Sequence, residues 1–413
     1  MLRTDVADAL VEEFGEAGYL FPDYEGYCFA NVPHTLASVL GVETGRTLPE
    51  DALAGVDSEI ENVLVVLVDG FGFRQWREQR EEIPFLERLS SAARVTPLTS
   101  IYPSETAAAI TTFHTGRLPA GHGVVGWNVY EPTADAAFEA LPFQTKDGEE
   151  PAGIAYSDVF DADPLYPQLA DAGVSCRQVV PFEEGPRGTT AHPYESLDDF
   201  PEAVGEAFDA ADAPAYCYAY LPTVDHEGHH SGTDSAAYRE TVGETFDAVA
   251  AALSELDDET AAETLLVVAA DHGHVDSDPE RNVNLDARDW LVDALDRHAD
   301  GAPVRFSGSP RNVHFQLRDG RAEEVATELR ERFGSDARVF TREQALDRDL
   351  FGDATPSETF RRRVGDLVLT HRNLGTWFGD HEPEELDLIG MHGGLHPDEM
   401  LVPFAAVRLD ELR

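Results

Sequence analysis

Three apolar runs, VLVVLVDG at 63–70, AYCYAYLPTVDHEGH at 215–229 and LLVVAADHG at 265–273, each close on an acid, and two of those acids have histidines just behind them. Runs this dense in Val, Leu and aromatics lack the alternation of a half-exposed strand. They predict strands buried on both faces, as in a parallel sheet covered by helices. Asp69, Asp225 and Asp271 then fall where strands end, the edge at which open α/β sheets gather ligands. A single Asp after a strand is ordinarily a turn former or a helix cap. Three of them, with coupled imidazoles, point instead to a shared site for divalent metal.

The rest of the chain fits the same layering. An acidic, helical N-terminus and the aromatic stretch YLFPDYEGYCF lead into the run at 63–68. A polar helical pattern at 74–93, a strand at 94–99 and a helix from 104 to 115 follow, the last closed by Gly116. Helices near 164–173, 199–211 and 234–256 then alternate with strands at 174–180, 215–221 and 264–270. This alternation predicts an α/β fold with a mostly parallel central sheet and helices on both faces. Between 277 and 363 the pattern becomes strand, helix, strand, helix, a small α+β insertion expected to rest over the sheet's ligand edge. Residues 1–276 and 364–413 are left as the catalytic domain.

Composition narrows the partners. The chain has 413 residues, enough for a substantial core, with 79 acids against 30 Lys and Arg and a formal charge of −49. Such a surface repels nucleic acid and anionic lipid. It also repels itself unless salt screens it, and with Lys146 as the one lysine it suggests a halophile's cytosol. Cys28, Cys176 and Cys217 are few, odd in number and widely spaced, which reads as buried free thiols. The acidic N-terminus is unlike a signal peptide, and no run approaches the roughly 18 apolar residues of a membrane span. A soluble cytoplasmic protein is expected; the oligomeric state is not legible.

The segment IYPSETAAAITTFHTGRLPAGHG at 101–123 carries the candidate nucleophile. In the first turn of its helix Thr106 meets free backbone amides and the positive dipole end, which favour an anion. Beside a divalent cation its hydroxyl can ionise near neutral pH and attack phosphorus. The alternative is that Ser104 and Thr106 are only helix caps. Asp225 and His229 are four apart, which brings them to one side of a helical turn, and Asp271 and His272 sit at a strand terminus. His392 and His396 lie in the glycine-rich IGMHGGLHPDEM. Asp69, Asp225, His229, Asp271, His272 and His392 make a mixed N/O set, sufficient for two zinc-like ions with three protein ligands each and an open position.

In order and spacing these motifs resemble the alkaline phosphatase superfamily, in its type I phosphodiesterase and nucleotide pyrophosphatase branch. Asp69-Gly70 follows the first buried strand, and Pro103 and Thr106 precede Thr115-Gly116 at the family's interval. Pro119, His122 and Gly123 come next, then Asp225, Gly228 and His229, then Asp271-His272-Gly273, and finally His392-Gly393. The resemblance implies that Asp225, His229 and His392 hold one zinc or manganese ion. Asp69, Asp271 and His272 would hold the other, with Thr106 bridging toward phosphorus. It implies a hydrolase of phosphate diesters or nucleotides; a phosphomonoesterase, a phosphomutase or a non-catalytic metal- or nucleotide-binding homologue are the alternatives. In one respect the chain departs from the pattern: the pyrophosphatases carry Phe-Pro-Asn after the threonine, where Ala107, Ala108 and Ala109 stand here. The phosphoryl oxygen is then expected to rest on backbone amides or on Asn128, with Trp127 and Tyr130 as candidate stacking residues for the leaving group. His226, His230, His274 and His396 flank the ligands as candidate orienting groups. Arg311, Arg363 and Asp366 either face the site or lie in solvent.

Overall fold

The computed structural model describes residues 1–56 and 60–412. Its larger sheet has seven strands in the order Arg94–Thr99, Leu401–Arg408, Thr264–Ala269, Asn62–Val68, Ala215–Leu221, Ser175–Val180 and Thr190–Pro193. At its centre Val65 pairs in parallel with Val267 on one side and Tyr218 on the other. Every residue of the three central strands is buried, as their unalternating sequence requires.

Among the described strands of this sheet, only Leu401–Arg408 runs against its neighbours. That reversal positions the site. Its first residue, Leu401, lies opposite Thr99, the last residue of the adjoining strand. The loop before it therefore reaches the same sheet edge as the loops that follow the parallel strands.

Helices flank the sheet. One group gathers around Phe246 of Ala236–Glu255, whose ring meets Phe71, Trp76 and Phe85. The helix Thr106–Thr115 packs through Phe113 on Phe29 and Tyr218. Where one helix was expected over 74–93 there are two, Phe73–Gln79 and Pro84–Ala92. Pro84 lacks the amide that a continuous helix needs and is accommodated in the first turn of the second.

A second, six-stranded sheet has the order Ala337–Thr341, Leu367–His371, Asn312–Phe315, Gly308–Ser309, Asn128–Glu131 and Ala136–Glu139. The strand, helix, strand, helix series of the 277–363 segment appears as Asn312–Phe315, Ala322–Phe333, Ala337–Thr341 and Arg342–Asp347. The sheet also takes strands from 128–139 and 367–371, so it is knit to the rest of the chain on both sides.

Two buried arginines hold this seam, facing neither solvent nor the metal-ligand cluster. Arg311 donates from Nη2 and Nε to the two oxygens of Glu399 at 2.6 and 3.2 Å, and its other donors reach the carbonyls of Leu374 and Arg372. Arg363 donates to Glu131 at 2.8 Å and to the carbonyls of Gly123, Val159 and Asp158. A planar guanidinium with five donors suits such multiple, fixed acceptors. Asp366 accepts from the Leu317 amide and pairs with Arg342.

Candidate functional site

The site grows out of the sheet edge. Asp69 follows Val68 directly, Asp271 and His272 follow the strand Thr264–Ala269, and Asp225 lies in the first turn of the helix Thr223–Ser231, with His229 one turn on. Thr106 is the first residue of its helix; Glu105, not Ser104, occupies the cap position. Ser104 instead donates to the carbonyl of Gly394, which ties the Thr106 segment to the loop carrying His392. A two-residue antiparallel pairing of Val275 and Asp276 with Met391 and Gly390 fixes that loop from the other side.

These elements bring Asp69, Thr106, Asp225, His229, Asp271, His272 and His392 together. Thr106 Oγ1 lies 3.0 Å from His272 Nε2 and 3.4 Å from Asp69 Oδ1. His272 Nε2 is 3.1 Å from Asp69 Oδ1, 3.6 Å from Asp271 Oδ2 and 4.0 Å from Asp225 Oδ1. His229 Nε2 is 3.3 Å from Asp225 Oδ2 and 3.3 Å from His392 Nε2. The rings of His272 and His392 stack at 3.5 Å. Two clusters of donor atoms result: Asp69, Asp271 and His272 form one, and Asp225, His229, His274 and His392 the other. The first is wholly buried; the second opens to solvent, with the Asp225 side chain 16% exposed.

Crowded carboxylates and imidazoles leave a strong demand for positive charge. Burial alone would lower both imidazoles, yet Asp225 holds His229 up at about 9, and Asp271 with Asp69 holds His272 up at about 10. Burial, and then Asp69 beside it, drives the Asp271 carboxyl well above its usual range. Burial would also raise Asp225, but His229 outweighs it and the carboxylate is held well below its ordinary value. Asp271 Oδ2 and Asp225 Oδ1 are buried without a hydrogen-bond partner, a costly state for a carboxylate oxygen unless a cation meets it. The donor set therefore fits two divalent ions.

Other residues around the cluster were not legible as functional. Tyr220, on the strand before Asp225, donates its hydroxyl to Asp69 Oδ2 and so turns Oδ1 toward Thr106. Alternation along the strand could have placed it on that side, but nothing in the sequence names its partner. Glu105 is buried beside Thr106 and pushed up to about 7 by that burial, and it accepts from the Trp127 amide at 2.5 Å. The candidate substrate residues have the following surroundings. Asn128 donates to the Gly308 carbonyl within the smaller sheet. The Tyr130 hydroxyl donates to Asp135 and its ring meets His298, while Trp127 is half-buried. Of the flanking histidines, His226 and His230 are exposed on the outer side of their helix, and His396 caps the short helix Pro397–Met400.

Comparison with known proteins places the fold and the family. Among solved structures, murine ectonucleotide pyrophosphatase/phosphodiesterase 5, in an inactive threonine-to-alanine form in complex with AMP, is similar with a TM-score of 0.65 and 19% identity over 84% of this chain and 88% of that one. The human protein of the same name gives 0.63 and 18% over 84% and 89%. Phosphonoacetate hydrolase from Sinorhizobium meliloti 1021, in complex with phosphonoformate, gives 0.60 and 18% over 86% and 94%. At these identities the likeness is one of fold. The sequence itself matches the type I phosphodiesterase/nucleotide pyrophosphatase family over residues 63–395. The chain therefore belongs to that metal-dependent family of phosphoric ester hydrolases, within the alkaline phosphatase superfamily.

Proposed function

We propose that this chain is a phosphodiesterase or nucleotide pyrophosphatase in which Thr106 is the nucleophile. Asp225, His229 and His392 would hold one zinc-like ion, and Asp69, Asp271 and His272 the other. The observation that carries this is the Thr106 hydroxyl, 3.0 Å from His272 and 3.4 Å from Asp69 at the first position of a helix. The murine neighbour, inactive as a threonine-to-alanine form, supports the same role for a threonine.

When bound, the ions neutralise phosphoryl oxygens and lower the pKa of a nearby hydroxyl. Thr106 Oγ1 then forms a bond to phosphorus as the bond to the leaving oxygen breaks, giving a phospho-threonine. Water attacks that phosphorus from the vacated side and releases Thr106, so configuration at phosphorus is retained overall. Ala107, Ala108 and Ala109 offer no side-chain donor, so the non-bridging oxygen falls to the first free amides of the helix. Tyr220 keeps Asp69 turned toward the reacting hydroxyl.

Diesters suit the site better than monoesters, whose extra charge calls for extra cations. Lys146, the one lysine, is held between Glu139 at 3.1 Å and Glu382 at 2.8 Å. The 277–363 segment is assigned as an insertion over the site, and the substrate as a small phosphate ester or nucleotide. A salt-rich cytoplasm is the proposed location. Among the described residues no helix is long and apolar enough to cross a membrane.

The test compares bis(p-nitrophenyl) phosphate with p-nitrophenyl phosphate in molar KCl, before and after chelation and zinc restoration. Metal-dependent turnover of the diester is expected, and Thr106→Ala should keep fold and metal while losing turnover by roughly 10³-fold or more. Turnover undiminished in Thr106→Ala removes the nucleophile; hydrolysis of the monoester alone replaces the diester assignment with a phosphomonoesterase.

A further inference from the structure

We infer that His274 is a fourth protein ligand of the ion held by Asp225, His229 and His392, so that three imidazoles and one carboxylate converge on it. The inference rests on the two-ion reading above and adds to it a residue that the family motifs do not carry.

The first argument is orientation. His229 Nδ1 bonds the Gly390 carbonyl at 2.7 Å, His392 Nδ1 that of Ser104 at 3.1 Å, and His274 Nδ1 that of Gly70 at 3.0 Å. A carbonyl accepts, so in each ring Nδ1 carries the proton and Nε2 presents its lone pair. This is the outer-shell pattern that fixes histidines as metal ligands. His274 Nε2 is buried without a hydrogen-bond partner and sits 3.0 Å from Asp225 Oδ1, itself unpartnered. Two lone pairs that face each other so closely repel unless a proton or a metal ion lies between them, and with Nδ1 already donating to Gly70 the Nε2 lone pair is the one turned toward Asp225.

Distance gives the second argument. In a tetrahedral site with metal–donor bonds of about 2.0–2.1 Å, donor atoms are about 3.3 Å apart. Asp225 Oδ1 lies 3.0 Å from His274 Nε2 and 3.5 Å from His392 Nε2, while His229 Nε2 is 3.3 Å from His392 Nε2 and 3.3 Å from the other Asp225 oxygen, Oδ2. His274 meets the rings of His229 and His392 nearly edge-on, at 88° and 86°.

A built cradle is the third. A Cβ at Gly70 would lie 2.4 Å from the His274 ring, and one at Gly228 3.0 Å from it. Both glycines belong to segments that carry ligands, and their missing side chains are the space the imidazole occupies.

The two sites would then differ in kind. The Asp225 site, rich in nitrogen, selects ions such as zinc or cobalt over magnesium or manganese. The Asp69 site keeps an opening beside Thr106.

The test loads the full chain with cadmium-113 and records proton–cadmium correlations of histidine-labelled protein. Three imidazoles coupled to one cadmium and one to the other are expected, with a single coupling lost in His274→Ala and that ion held roughly 10–100-fold more weakly or worse. Only two imidazoles on that cadmium would overturn the fourth ligand and leave the two-ion reading intact. No imidazole coupling in the wild type would overturn both.

Discussion

Arg311→Met should be among the most damaging single changes outside the candidate metal-binding cluster. Arg311 and Glu399 are both fully buried, and the guanidinium supplies two of the four hydrogen bonds that the carboxylate receives. Methionine refills most of the aliphatic volume, so the cavity contribution is small. The loss is therefore that of a buried carboxylate stripped of its counter-charge, about 3–5 kcal/mol. With an unfolding entropy of about 2.1 cal/mol/K per residue over 413 residues, that corresponds to a fall in Tm of about 3–6 °C. Glu399→Gln strands the guanidinium instead and should cost a similar amount. The double variant should cost clearly less than the sum, because neither charge is then left alone. Scanning calorimetry in fixed molar KCl reads all three. Additive losses, with a coupling below about 1 kcal/mol, would refute the reasoning, since that is how a solvent-screened pair behaves. The remaining acceptor bonds of Glu399 go to the Gly394 and His396 amides, so Arg311→Met should also weaken metal retention through the His392 loop.

The metal-free protein should lose stability as pH rises. His229 and His272 are raised from 6.5 to about 9 and about 10, so their contribution is complete below about 6.5 and disappears as pH climbs through those values. Asp271, also raised, acts in the same direction. A Tm that falls from pH 7 to 10 without metal and stays level with metal is the expected calorimetric result; a level metal-free profile contradicts it. Raising KCl from 0.1 to 1 M shortens the screening length from about 10 to about 3 Å and should raise the Tm of a chain with formal charge −49, as followed by circular dichroism, whereas a Tm indifferent to salt would show that self-repulsion is unimportant.

The parts of the fold that proved legible were those encoded locally. Unalternating runs gave the three central strands, and the acids that end them needed no further information to be placed at one edge. His229 is one helical turn from Asp225, which by the same rotation sends His226 and His230 outward. His274 is different. Its inward direction depends on the turn through Gly273 and on Val275 pairing with Met391, contacts made across a long stretch of chain. His392 reaches the site only because Leu401–Arg408 runs antiparallel, a matter of topology that no local pattern carries. Whether Arg311 faced the site or solvent stayed open for the same reason, and it does neither: its partner Glu399 is distant in sequence, and a buried arginine is recognisable only beside its acceptor. The short strands at 128–131 and 136–139 are completed by Gly308 and its neighbours, so by themselves they showed too little periodicity to be found.

A strongly acidic protein that acts on a phosphate ester must reverse its own field at the site. Asp69, Asp225 and Asp271 contribute three negative charges, and burial of the first and third leaves little water to soften them. Two divalent ions would turn that −3 into +1. Without metal, protons on His229, His272 and the raised Asp271 offset it, but only until the pH passes their raised values. On the two-ion reading the metals thus make the pocket attractive to an anion in the first place, besides activating Thr106. Lys146 is occupied by two glutamates and Arg311 by one, so on that reading positive charge would reach the phosphoryl group from the ions and helix amides. In concentrated salt, where fields from the surface die within a few ångströms, such contact charges remain effective and the acidic exterior does not oppose them.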